Sequence, residues 1–117
     1  MVDPEKREWQ RVSVDLPAKC RLIDGPARYD DMNIVDMNHQ GCCIEGHLQF
    51  QKGDMLRIII EIPFEGQLNI TAEVIWSGLI NNDEDFRTGV HFVIDSPAAE
   101  EMSLKLYHYF LLRQPKS

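Results

Sequence analysis

"VSVDLPAKCRL", residues 12–22, alternates between apolar and polar side chains. Val12, Val14, Leu16, Ala18, Cys20 and Leu22 share one face of an extended chain; Ser13, Asp15, Lys19 and Arg21 share the other. Successive strand side chains point to opposite faces, so the segment reads as a half-buried β-strand. Pro17 lacks an N–H for the ladder and marks an edge or a bulge. "DGP" at 24–26 is a turn.

The same period of two runs on through the chain. Residues 28–37 form a second strand with Met32 and Ile34 inward, and "CCIE", 42–45, a short third one. "MLRIIIEI", 55–62, puts Leu56, Ile58, Ile60 and Ile62 on one face. "QLNITAEVIW", 67–76, does so with Leu68, Ile70, Ala72, Val74 and Trp76. "RTGVHFVI", 87–94, is the sixth strand, with Val90, Phe92 and Ile94 inward. "NHQG" (38–41), "QKGD" (51–54), "PFEG" (63–66) and "NNDED" (81–85) separate them. Connections this short disfavour a parallel sheet.

The period changes near the end. Ser96 suits an N-cap, Pro97 the first helical position, and Glu100 and Glu101 the first turn. Ala99, Met102, Leu106, Tyr109 and Arg113 mark a helical stripe. Leu104, Tyr107, Phe110 and Leu111 make the helix apolar on more than one face, which suits a protein partner or a homodimer contact. The fold class is therefore all-β: a six-stranded antiparallel barrel, closed to remove its edges, with an N-terminal arm and one C-terminal α-helix. The divisions are a flexible arm at 1–11, a barrel at 12–95 and a helix at 96–113.

Bulk properties narrow the function. The 117 residues suit one domain, and 44% hydrophobic with 26% charged residues is globular composition. No apolar run approaches the roughly 18 residues of a membrane helix, and "MVDPEKREWQ" has no apolar signal region, so a cytoplasmic location is expected. Cys20, Cys42 and Cys43 are odd in number, and two are adjacent, which argues for buried thiols over a disulfide framework. A net charge of -7 argues against DNA or RNA as partner. The charge is uneven: residues 1–28 hold six basic and five acidic side chains, leaving -8 for the remainder. An anion site should lie near the N-terminus and take a small ligand.

Two short constellations fit that site. "KREWQR", 6–11, carries Arg7 and Arg11 four apart. A guanidinium is a planar fork that matches phosphate and the Hoogsteen edge of guanine. "DMNHQG", 36–41, follows a strand; Asp36 and Asn38 can bond nearby backbone N–H groups, and Gly41 can take a positive φ or permit close approach. Trp76 lies on the inward phase of its strand, where core packing competes with a stacking platform at the barrel mouth. His39, Cys42, Cys43 and His47 lack zinc spacing. No nucleophile motif, phosphate loop or catalytic residue stands out, so no enzyme activity, metal or cofactor is expected.

Arg-x-x-x-Arg followed by Asp-x-Asn-x-x-Gly resembles the PilZ domain, a bacterial second-messenger receptor module for cyclic di-GMP. "GDMLRIIIEI", "AEVIW" and "TGVHFV" are similar to PilZ strands in PilZ order, and the likeness runs from residue 6 to about 112. The resemblance implies a non-catalytic receptor whose arm wraps over cyclic di-GMP and signals to a protein partner. It assigns Arg7 and Arg11 to guanine edges and phosphates, Asp36 to guanine N–H donors, Gly41 to close approach and Trp76 to stacking. Asn38 stands where the family has Ser. Lys6 is a basic residue of the kind that accompanies a stacked pair of ligands in similar proteins. The alternative is a PilZ-like interaction module that no longer binds cyclic di-GMP and works through its C-terminal helix.

Overall fold

The computed structural model describes residues 12–38, 40–62, 66–80 and 84–112. Six strands precede one helix: β1 (Val12–Leu22), β2 (Asp30–Asn38), β3 (Gly41–Gly46), β4 (Met55–Ile62), β5 (Gly66–Ile80), β6 (Asp85–Phe92) and α1 (Pro97–Leu112). The strands close as β1-β2-β3-β6-β5-β4, each pair antiparallel.

The alternating apolar residues fill the interior. Cys20, Ile34, Ile44, Leu56, Ile58, Ile60, Ala72 and Val74 are fully buried in one cluster. Each large aliphatic side chain so buried contributes roughly 1.5–3 kcal/mol. β4 pairs with β5 from Met55↔Glu73 to Ile62↔Gly66 without a shift. It pairs with β1 only from Ala18↔Ile60 to Leu22↔Leu56. Pro17 therefore stands one residue before that seam begins, where β1 has a single neighbour and a missing N–H is tolerated. The "QKGD" turn is closed by the Asp54 N–H to Gln51 carbonyl bond (2.9 Å) and by Asp54 Oδ2 accepting from the Gln51 N–H (2.8 Å). Gly53 takes φ 93° there, a conformation that side-chain-bearing residues resist.

α1 begins as its sequence dictates. Ser96 Oγ accepts the Ala99 N–H at 3.1 Å, an N-cap bond. The buried side of the helix is Ser103, Leu106 and Tyr107, with Met102 and Phe110 packed on the core. The stripe thus runs beside the expected one: Tyr109 is only half-buried, and Arg113 lies outside the described residues.

Several boundaries differ from the sequence reading. β2 starts at Asp30, β5 runs on to Ile80, and β6 occupies Asp85–Phe92. The last two form a longer hairpin, because their ladder continues through Leu79↔Phe86 to Ile80↔Asp85. Ile94 lies beyond β6 and is exposed, as is Leu22 at the end of β1. Neither joins the core face that alternation gave it, because each lies at or past the end of its ladder. No helix among the described residues is long and apolar enough to cross a membrane.

Candidate functional site

The chemistry collects where strand alternation breaks. Continued alternation from Ile34 would send Asp36 into the apolar interior. Burying a carboxylate without a partner costs several kcal/mol. Instead the β2–β3 register shifts between Ile34↔Ile44 and Asp36↔Cys43. Asp36 turns outward, half-buried, and Met37 takes the interior position at 0% exposure. β1 has its own shift opposite, between Ser13 and Leu16, and Ser13 pairs with Asp36.

β5 does the same. Its register shifts between Val74↔Val90 and Trp76↔Gly89, which makes Ile75 the extra residue of a bulge. Trp76 is therefore not on the inward phase: it is 46% exposed on the outer face. The core-packing reading of Trp76 is overturned. Thr88 is fully buried one step further along, and its hydroxyl lies 2.8 Å from that of Ser77.

Ladder partners then set a row across the outer face: Asp36, Cys43, Gly89, Trp76. The row lies in a cleft of ≈ 460 Å³, flanked by Arg87 and His91. Trp76 rests over Gly89; a Cβ built on that glycine would meet the indole Nε1 at 2.3 Å. The Arg87 guanidinium donates through Nε to Glu45 Oε2 at 2.7 Å and through a terminal nitrogen to the same oxygen. That hydrogen bond raises the guanidinium pKa further above its ordinary value. Among the described residues Glu45 engages two of its five N–H donors, and the other edge has the geometry to address a ligand anion.

Asn38 and Gly41 shape the rim. Asn38 Oδ1 accepts the Gln40 N–H at 2.9 Å and the Gly41 N–H at 3.0 Å, an Asx turn closing the β2–β3 hairpin. Gly41 does not use a positive φ. Its added Cβ would lie 2.1 Å from the Val90 carbonyl oxygen, so the close approach it permits is that of the β6 backbone. Val12, the first described residue, pairs with Met37 at the same rim. Lys6, Arg7 and Arg11 lie outside the described residues, as does His39.

The cysteines separate as strand geometry requires. Cys42 belongs to the core cluster, whereas Cys43 is in the outer row. Among the described residues no group of three or more His, Cys, Asp or Glu side chains could hold a metal ion. His47 Nδ1 instead sits 2.9 Å from Asp85 Oδ1.

The chain also matches a family model. The PilZ domain model matches residues 5–109. The chain belongs to the PilZ domain family. Among solved structures, the PilZ domain of Escherichia coli YcgR with c-di-GMP is 15% identical at a TM-score of 0.69, covering 92% of this chain and 93% of that one. Bacillus subtilis MotI/DgrA, an inhibitor of motility, is 18% identical at 0.73, covering 94% of this chain and 53% of that one. The K. pneumonia MrkH–c-di-GMP complex is 14% identical at 0.74, covering 92% and 53%. The chain therefore spans about half the length of MotI and of MrkH. At these identities the likeness shows the fold. No curated protein matches.

Three residues of this PilZ cleft escaped sequence reasoning: Arg87, Gly89 and Cys43. Alternation on β6 does carry the signal, because inward Thr88, Val90 and Phe92 leave Arg87, Gly89 and His91 outward. What the period lacks is which strand lies opposite, and so that Gly89 sits between Cys43 and Trp76.

Proposed function

We propose that this PilZ domain is a non-catalytic receptor for cyclic di-GMP. The observation that carries the reading is the Asp36–Cys43–Gly89–Trp76 row beside Arg87, next to the rim where Val12 enters the barrel. Arg11 is joined directly to Val12, whose ladder partner Met37 stands at this rim. The described cleft offers the complementary parts. Asp36 accepts from the N–H edge of a guanine. Trp76 stacks on a base, and Arg87 takes a phosphate oxygen with the edge turned away from Glu45. Arg7 and Arg11 close over the other side, gripping phosphates and guanine Hoogsteen edges. Lys6 extends the basic arm toward a second, stacked ligand.

Asn38 fits the receptor reading. Its carbonyl oxygen makes the two turn bonds that hold the hairpin, a task a serine hydroxyl also performs. Gly41 keeps the hairpin tight against β6. Closing the arm costs roughly 1–2 kcal/mol per ordered residue, which several charge-assisted bonds of about 1.5–3 kcal/mol each offset. The filled site thus differs from the empty one in the state of its arm, and a protein partner reads that difference. The apolar α1, with Leu112 at 81% exposure, is the surface for such a partner or for a second copy.

Isothermal titration with cyclic di-GMP tests the reading. Saturable binding that Arg11→Ala and Asp36→Ala each abolish, in folded proteins, is the expected result. A stoichiometry of two per chain would support the role of Lys6. A folded wild-type protein that gives no heat at any attainable concentration would sink it.

A further inference from the structure

The indole of Trp76 could stand away from the barrel or lie along it, and the backbone opposite decides which. Gly89 is its ladder partner across the β5 bulge. A Cβ on Gly89 would come within 2.3 Å of Nε1, 2.6 Å of Cε2 and 3.0 Å of Cδ1 of the indole. Real Cβ contacts avoid such distances, and three ring atoms at once leave no small shift that relieves them all. The pyrrole side of the ring therefore occupies the volume in which any other residue would place its side chain. The neighbouring structure fixes the bulge from below: the Ser77 and Thr88 hydroxyls meet at 2.8 Å, and Thr88 is fully buried. The ring is laid on the sheet, yet Trp76 stays 46% exposed. Trp76 lines the same cleft as Asp36 and Arg87.

We infer that Gly89 is a positioning residue for the ligand: it lowers the Trp76 indole onto the β6 backbone so that one ring face is presented to a flat heteroaromatic base. This rests on the receptor reading and names what sets the stacking distance within it. A base–indole stack needs a rigid platform, because an indole free to rotate must lose that freedom on binding. Raising the ring by the thickness of a methyl group also moves it toward the space the base would fill. Gly89→Ala should then weaken binding although Gly89 touches no ligand atom.

The test uses the full chain with Trp9→Phe, so that Trp76 is the one fluorophore of its kind. Gly89→Ala is compared with this parent for Trp emission, acrylamide quenching, thermal melting by circular dichroism and cyclic di-GMP titration. The expected result is a cooperative melt, a shifted emission maximum, about twofold stronger quenching without ligand, and affinity reduced about tenfold. The same Gly89→Ala change in a Trp76→Ala background should cost less than twofold in affinity, because no ring remains to be displaced. Unchanged emission and quenching would overturn the inference. So would a displaced indole with undiminished affinity, or an equal affinity loss in both backgrounds. If Gly89→Ala unfolds the chain with Trp76 present but not with Trp76→Ala, the contact stands. Unfolding in both backgrounds assigns Gly89 to the backbone and overturns the inference. A parent that ignores cyclic di-GMP while Gly89→Ala still alters the Trp76 emission would show instead that the receptor reading has failed and the ring contact has not.

Discussion

The ladder of β4 and the arc from β2 through β3 and β6 to the far half of β5 use strands differently. β4 pairs with both neighbours without one interruption, and its Leu56, Ile58 and Ile60 are fully buried. The register shifts fall on β1–β2, β2–β3 and β5–β6, close to Asp36 and Trp76. Regular pairing sends every second side chain inward and stores stability. A bulge reverses the phase, and here it turns a carboxylate and an indole from the core to the surface. One region holds the barrel together; the other aims side chains at a cleft.

Substitutions can break that contrast. The largest stability effect should come from the regular region. Ile58→Ala leaves a cavity at a fully buried position and should cost about 2–5 kcal/mol in urea denaturation, with cyclic di-GMP affinity retained wherever the chain is folded. Asp36→Asn should behave oppositely. It should weaken binding by about 1.5–3 kcal/mol in a titration, while the urea midpoint moves little. A large stability loss in Asp36→Asn, or a binding loss in folded Ile58→Ala, would erase the division.

A third prediction concerns pH and sharpens the regular side. Burial, aided by nearby Asp30, pushes the Cys20 thiol up to about 12 from its ordinary 9.0. Burial also raises the Tyr107 phenol. A raised acid binds its proton more tightly in the folded state. Its contribution is complete below the unfolded pKa and is lost as pH climbs from there toward the folded one. Stability should therefore fall by about 1 kcal/mol between pH 8 and pH 10, measured by denaturation at each pH. Cys20→Ala, though less stable throughout, should flatten that alkaline limb. A limb of equal slope would remove Cys20 as its cause.

The smallest effect expected is at the rim of the bulged region. Asn38→Ala removes two bonds to backbone N–H groups and should lower stability by roughly 0.5–1 kcal/mol. Asn38→Ser, which restores a short side-chain acceptor, should recover most of it in the same melt. A binding constant for Asn38→Ser equal to that of wild type would show that Asn serves the site as well as Ser.

Much of this was legible in residues 12–112. Six alternating segments and one capped helix require no tertiary knowledge, because periods of two and 3.6 follow from local backbone geometry. The Arg7/Arg11 and Asp36–Gly41 motifs were legible too, as residue types at fixed spacing. The outward aim of Trp76 was not. Its strand reads "TAEVIW": Ala72, Val74 and Trp76 keep one phase, and the apolar Ile75 between them does not say on which side of it the register slips. Asp36 is the reverse case: "NIVDMN" breaks alternation with a polar residue at an inward position, a sign that the register must slip there.

The order of residues along the chain is enough to say which segments are strands, which face of β4 is core and where α1 starts. Those are local properties, set by side-chain chemistry along one chain. Closure of the barrel is what brings Asp36, Cys43, Gly89 and Trp76 into one row, with Arg87 held beside them by Glu45. That order is set by which strands are neighbours when the barrel closes. It is set also by where each ladder slips: "NIVDMN" signals the slip at Asp36, but the strand order and the slip at Ile75 are not written in the period of any single strand.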